Sequence, residues 1–187
     1  MKRNFYARDS AKVARELLGK KLVHKIKNKI LEGRIVETEA YYGENDPASH
    51  AFKRTPRSEI MYGPPGFSYV YFVYGNHHMF NVVTEKEEKP GAVLIRALEP
   101  LKGLNLMKKN RGISNIKNLT NGPGKLTKAF DITKKHNNLD LSKGNLKIKN
   151  HDEKELKIVS TKRIGIKNDL NKNLRFYIKE NEFLSKV

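Results

Sequence analysis

A chain of 187 residues without cysteine is the length of one domain with a hydrophobic core of its own, and it excludes disulfides, thiolate metal sites and a thiol nucleophile. Lys and Arg number 38 against 20 Asp and Glu, a formal net charge of +18, which points either to a polyanionic partner or to a lysine-rich composition with no binding site behind it. No apolar run approaches the roughly 20 residues of a membrane span, and Met1-Lys2-Arg3-Asn4 leads into no signal-peptide core, so the chain reads as soluble, cytoplasmic and monomeric, with no membrane partner.

Asp9-Ser10 ahead of residues 11–19 predicts a short capped helix that stops at Gly19 and buries Val13, Ala14, Leu17 and Leu18. Residues 21–26 and 30–38 read as strands joined at Lys27-Asn28-Lys29, the second delivering Glu37-Thr38-Glu39-Ala40-Tyr41-Tyr42-Gly43. Residues 44–65 form a long loop with Asp46-Pro47, Thr55-Pro56 and Pro64-Pro65-Gly66. It carries Ser49-His50 and the basic cluster Lys53, Arg54 and Arg57, and loops of this length in one domain are either functional or disordered.

Two aromatic and β-branched runs, residues 69–74 and 77–84, flank Gly75-Asn76, which is the strongest hairpin signal in the chain. The expected tip carries large rings where small polar residues are usual. A buried-looking strand, Ala92-Val93-Leu94-Ile95, ends in Arg96, and Glu99-Pro100 predicts a helix over residues 99–109. Residues 101–130 hold seven basic side chains and no acidic one, a face suited to phosphates. Within them Thr120-Asn121-Gly122-Pro123-Gly124-Lys125 opens a second helix at Leu126. That glycine loop either offers its amides to a phosphate or is an ordinary helix start. Short strands follow near residues 146–149, 157–161 and 174–178. The whole is a mixed α and β domain over residues 1–187.

Glu37 and Glu39, two apart on an extended strand, share one face at about 6–7 Å. They are candidates for an acid–base pair, or one of them is simply a salt-bridged strand residue. Tyr41-Tyr42 beside them suits a flat ligand with polar edges, such as a nucleobase. His50, His77 and His78 with Glu39 lack any metal-ligand spacing, so no metal is expected. No cofactor motif is present either.

Glu37-Thr38-Glu39-Ala40-Tyr41, Asp46-Pro47-Ala48-Ser49-His50, Tyr69-Val70-Tyr71 with Tyr74-Gly75, Asn81 and Arg96-Ala97-Leu98-Glu99-Pro100 together resemble the 3-methyladenine (alkyladenine) DNA glycosylase family. Asn121-Gly122-Pro123-Gly124-Lys125-Leu126 and Arg175-Phe176-Tyr177 extend the likeness over nearly the whole chain. The resemblance implies an α+β fold: one compact domain with a curved antiparallel sheet, flanking helices and a protruding hairpin. It also implies a monofunctional enzyme that flips alkylated or deaminated purines out of damaged double-stranded DNA and hydrolyses the N-glycosidic bond. Carried over, Glu39 is the base that activates water and Arg96 helps hold that water. Tyr41, His50, Tyr71 and Asn81 line the base pocket, with Asn81 set against the guanine 2-amino group, and Tyr74 fills the gap in the duplex. Lys53, Arg54, Arg57 and Lys125 are candidates for the DNA backbone. Ser58 stands where the resemblance calls for asparagine.

Tyr71 and Asn81 can share a pocket wall only if the hairpin loop has an odd residue count or holds a bulge. A three-residue loop at Gly75-Asn76-His77 sets them directly opposite each other. The competing reading of the chain is a non-catalytic basic nucleic-acid-binding module that uses the same hairpin and the same face.

Overall fold

The computed structural model describes residues 1–73, 75–151 and 155–186. A one-turn helix α1 (Arg3–Tyr6) precedes α2 (Ser10–Leu17), whose first turn is capped by Asp9 accepting the Lys12 amide at 3.0 Å. Val13, Ala14 and Leu17 form its buried stripe, and Gly19 leaves the helix at φ +83°, a conformation that glycine adopts without a Cβ clash.

Among the described residues eight strands form one antiparallel sheet: β1 (Lys21–Ile26), β2 (Lys29–Tyr41), β3 (Ser68–Val73), β4 (His77–Val83), β5 (Ala92–Lys102), β6 (Leu146–Lys149), β7 (Ile158–Thr161) and β8 (Arg175–Ile178). The order is β3-β4-β5-β2-β1-β6, and β8 joins β2 beyond the end of β1 and carries β7 on its far side. β2 is the spine, because it pairs with β5 along one edge and with β1 and then β8 along the other. Its register against β5 shifts between Ile35 and Thr38. Such irregularities bend a strand and increase its twist, and this one falls at Glu37, two residues before Glu39. The sheet is curved, as the resemblance implied.

The helices cover one face. Val36, Ala40, Phe80, Val82, Val93 and Ile95 are fully buried there with Leu17 and Leu126, and Thr38 Oγ1 donates to the carbonyl of Ala14 at 2.9 Å. Two expectations need correction. Residues 99–102 are strand, not helix: Leu98 and Glu99 pair with Ile35 and Arg34 of β2, and the missing Pro100 N–H falls beside a register shift, where a ladder tolerates it. The helix α3 (Leu104–Arg111) starts only after Gly103 at φ +85°. The hairpin ladder closes at Val73↔His77, so the odd residue count holds while its placement differs by one step. Tyr69, not Tyr71, lies opposite Asn81, and Tyr71 faces Met79. Tyr74, expected at the tip, lies outside the described residues.

Candidate active site

Strand register alone collects the chemistry on the face away from the helices. Tyr69, Asn81, Leu94, Glu39 and Arg175 form one row across β3, β4, β5, β2 and β8. Partners in antiparallel strands project to the same side, as do residues two along, so Tyr71, Arg96, Glu37 and Tyr41 share that side.

Glu39 is fully buried and accepts three hydrogen bonds: at Oε2 from the Tyr41 hydroxyl at 2.8 Å and Arg96 Nη1 at 3.1 Å, and at Oε1 from the Ile164 amide at 2.7 Å. A carboxylate has about four acceptor positions, so one stays open for a further donor. Glu37 is saturated instead. It takes Arg96 Nε at 3.0 Å, Arg175 Nε at 2.8 Å, and Ser185 through both hydroxyl and amide at 2.8 and 2.6 Å. The two carboxylates therefore differ in surroundings: both pair with Arg96, but Glu37 is filled by Arg96, Arg175 and Ser185 whereas Glu39 bonds Tyr41 of the cavity wall. Burial alone would lower the Arg96 pKa, but Glu39 and Glu37 together raise it, so the guanidinium is permanently charged.

Beside Glu39 lies a cavity of about 210 Å³ walled by Tyr41, His50, Tyr69, Tyr71, Asn81 and Met61. Sites for drug-sized ligands run to roughly 300–1,000 Å³, so this one fits a single heterocycle. Its aromatic walls are cross-braced. His50 Nδ1 and the Tyr69 hydroxyl are 2.8 Å apart, His50 meets Tyr71 edge-on at 4.6 Å, and the Asn81 amide donates to the Tyr69 carbonyl at 3.1 Å. Burial, helped by the nearby Arg57 cation, lowers the His50 pKa to about 4, so the imidazole is neutral at physiological pH. Burial and the Glu39 charge push the Tyr41 pKa well above its ordinary value, and its hydroxyl stays a donor.

Tyr41 is held from behind by Arg163, whose guanidinium lies 4.6 Å from the ring centre. Arg163 is itself fully buried in a bidentate pair with Asp46 at 2.7 and 2.8 Å, and it donates to the Ala40 carbonyl and to Asp169. Asp46 also accepts the Tyr42 and Ala48 amides, which folds the start of the long loop towards the cavity. Further along, Ser58 Oγ accepts the Thr55 amide at 2.9 Å and donates to the Lys53 carbonyl at 3.1 Å. Serine thus closes this turn in the position where asparagine was expected.

The structure brings together Glu39, Arg96, Tyr41, His50, Tyr71 and Asn81. The four basic candidates for the backbone have different surroundings. Arg57 stacks 4.8 Å over Tyr71 at the cavity mouth; Arg54 is paired with Glu59 and Glu88 at 2.6 and 2.9 Å; Lys53 is exposed; and Lys125 donates to Asn121 Oδ1 at 2.9 Å. Gly124 packs under the hairpin, where a Cβ would lie 2.8 Å from the His77 ring. Among the described residues no group of three His, Cys, Asp or Glu side chains is arranged to hold a metal ion. Sequence reasoning missed Tyr69, Arg163 and the Ile164 amide. Tyr69 was legible from its two-residue spacing to Tyr71 on one strand; the other two carry no local signal.

The methylpurine-DNA glycosylase family matches residues 4–182 of this chain. Bacterial relatives bearing the name "Putative 3-methyladenine DNA glycosylase" align over nearly their whole length. The protein of Desulfitobacterium hafniense is 50% identical over 98% of this chain and 97% of its own, and that of Carboxydothermus hydrogenoformans is 48% identical over the same shares. The protein of Alkaliphilus oremlandii is 44% identical over 100% of this chain and 98% of its own.

Proposed function

Because this chain belongs to the methylpurine-DNA glycosylase family and is by that membership a DNA glycosylase, we propose that it hydrolyses the N-glycosidic bond of an alkylated purine flipped out of duplex DNA, with Glu39 activating the water. The observation that carries this reading is the place of Glu39: fully buried, held by three donors, with one acceptor position left, and a single tyrosine hydroxyl away from a cavity of heterocycle size.

A base cannot be reached inside the duplex, so it must be extruded. Tyr74, the residue that the family resemblance assigns to the gap in the duplex, would replace the lost stacking. Methylation at purine N3 or N7 leaves a cation whose glycosidic bond breaks with the electron pair going to the base, and the released base is neutral. Water then bonds to the sugar C1′ and gives its proton to Glu39, with Arg96 holding the carboxylate and the water.

The cavity walls suit that substrate. Tyr41, Tyr69 and Tyr71 offer electron-rich rings to a cationic purine, and the neutral His50 adds no repelling charge. Both 3-methyladenine and 7-methylguanine leave readily through their own positive charge, whereas Tyr41 and His50 are poor proton donors at neutral pH. Hypoxanthine and ethenoadenine, which need protonation to leave, are the slower substrates. Asn81, buried in the wall, meets the purine edge that carries the 2-amino group in guanine. Arg57, over Tyr71 at the cavity mouth, is the basic side chain nearest the flipped base, Lys53, Arg54 and Lys125 are further backbone contacts, and the enzyme acts as a monomer without cofactor. Release of free 3-methyladenine from methylated duplex DNA, resolved by chromatography, tests the proposal. A non-catalytic module would bind the same DNA with the same steep salt dependence and release nothing.

A further inference from the structure

Arg96 reaches the two carboxylates with different edges of one guanidinium: Nε on Glu37 at 3.0 Å and Nη1 on Glu39 at 3.1 Å. A planar group bonded on two edges cannot swing. Glu37 is fixed in turn by Arg175 and by Ser185, whose hydroxyl also lies 3.3 and 3.4 Å from Arg96 Nη2 and Nε. Arg175 continues to the Lys186 carbonyl. The last described residues of the chain thus close over a cluster of two carboxylates and two guanidiniums.

We infer that Glu37, clamped by Ser185 and Arg175, is a positioning residue that sets both the aim of Arg96 and the charge it brings to Glu39. The inference rests on Glu39 being the base.

With Glu37 ionised, the buried cluster is neutral and Arg96 divides its charge between two partners. Removing the Glu37 charge leaves two guanidiniums facing Glu39 alone. Opposite charge within about 4–6 Å favours the ionised carboxylate, so Glu39 holds a proton less readily and becomes a poorer base. At the same time Arg96 loses the bond that orients its Nη1. The partners of Glu37 are Arg96, Arg175 and Ser185, and it reaches Glu39 through Arg96.

The test compares wild type, Glu37→Gln, Ser185→Ala and Glu39→Gln, by single-turnover release of 3-methyladenine at saturating enzyme, by affinity for the methylated duplex, and by carbon-13 NMR titration of the Glu39 side-chain carboxyl. Glu37→Gln is expected to lower the release rate about tenfold or more, to leave DNA affinity within about twofold, and to move the Glu39 titration down by about one pH unit. A residue with a merely structural role would change melting temperature and leave that titration in place, so an unmoved midpoint overturns the inference. Ser185→Ala keeps every charge and removes one clamp. It is expected to lower the rate about three- to tenfold with the midpoint unchanged, and a wild-type rate overturns the clamp even if Glu37→Gln fails to fold. Glu39→Gln separates the two levels: wild-type release by that variant rejects the base itself, whereas its inactivity beside an unaffected Glu37→Gln rejects only the positioning role.

Discussion

The hydroxyl of Tyr41 donates to Oε2 of Glu39 at 2.8 Å, which makes one wall of the cavity and the carboxylate behind it a single hydrogen-bonded unit. Tyr41→Phe keeps the ring and removes the donor. Without it the carboxylate loses one of the three bonds that aim it, and single-turnover release of 3-methyladenine at neutral pH is expected to slow about five- to twentyfold. An unchanged rate would place the Tyr41 hydroxyl outside the reaction.

His50 predicts a pH effect on folding. Its pKa is about 4 in the folded protein and near 6.5 in an unfolded chain. Between those values the unfolded state binds the extra proton, so stability falls as pH drops from 6.5 towards 4. His50→Gln removes that term, and the difference in unfolding free energy between pH 7 and pH 4.5 should shrink by roughly 2 kcal/mol. Urea denaturation of the two proteins at both pH values measures it.

Asp46→Ala removes the bidentate partner of the buried Arg163 guanidinium and leaves it Asp169 and the Ala40 carbonyl. Breaking a buried pair from one side costs about 3–5 kcal/mol when the remaining charge is uncompensated, so with Asp169 still paired chemical denaturation is expected to show a loss below that range. Arg163 precedes Ile164, whose amide bonds Glu39 at 2.7 Å. Release should therefore slow as well, at temperatures where the variant remains folded.

Gly124→Ala acts on the hairpin from below. The new Cβ would lie 2.8–3.1 Å from three atoms of His77, in the residue that closes the β3–β4 ladder, so the stem has to move. The expected result is about three- to tenfold weaker capture of methylated duplex by fluorescence anisotropy, with a near-normal release rate once enzyme saturates the DNA.

These residues differ in how far they could be read from the chain. The two-residue period placed Glu37 with Glu39, the aromatic runs about Gly75-Asn76 announced a hairpin, and its odd parity followed only from asking that Tyr71 and Asn81 share a pocket wall. Register was less legible: closure at Val73↔His77 put Tyr69 across from Asn81, because packing of the paired strands, not the Gly-Asn signal, decides where a ladder stops. Glu99-Pro100 carries the local signature of a helix start, and pairing with β2 overrode it. The Ile164 amide, Arg163 and Ser185 come to the site from 117 to 148 residues away. No spacing rule spans such distances, and only the docking of β8 and its flanking segments on β2 brings them in.

The central claim is that Glu39 delivers the attacking water. The most direct measurement is single-turnover release of 3-methyladenine by Glu39→Gln, with affinity for the methylated duplex determined in parallel. Glutamine keeps the shape and cannot take the proton, so the account predicts release reduced at least about a hundredfold, in line with the loss of a general base, with binding preserved. Release at the wild-type rate by a folded, DNA-binding Glu39→Gln protein would contradict it.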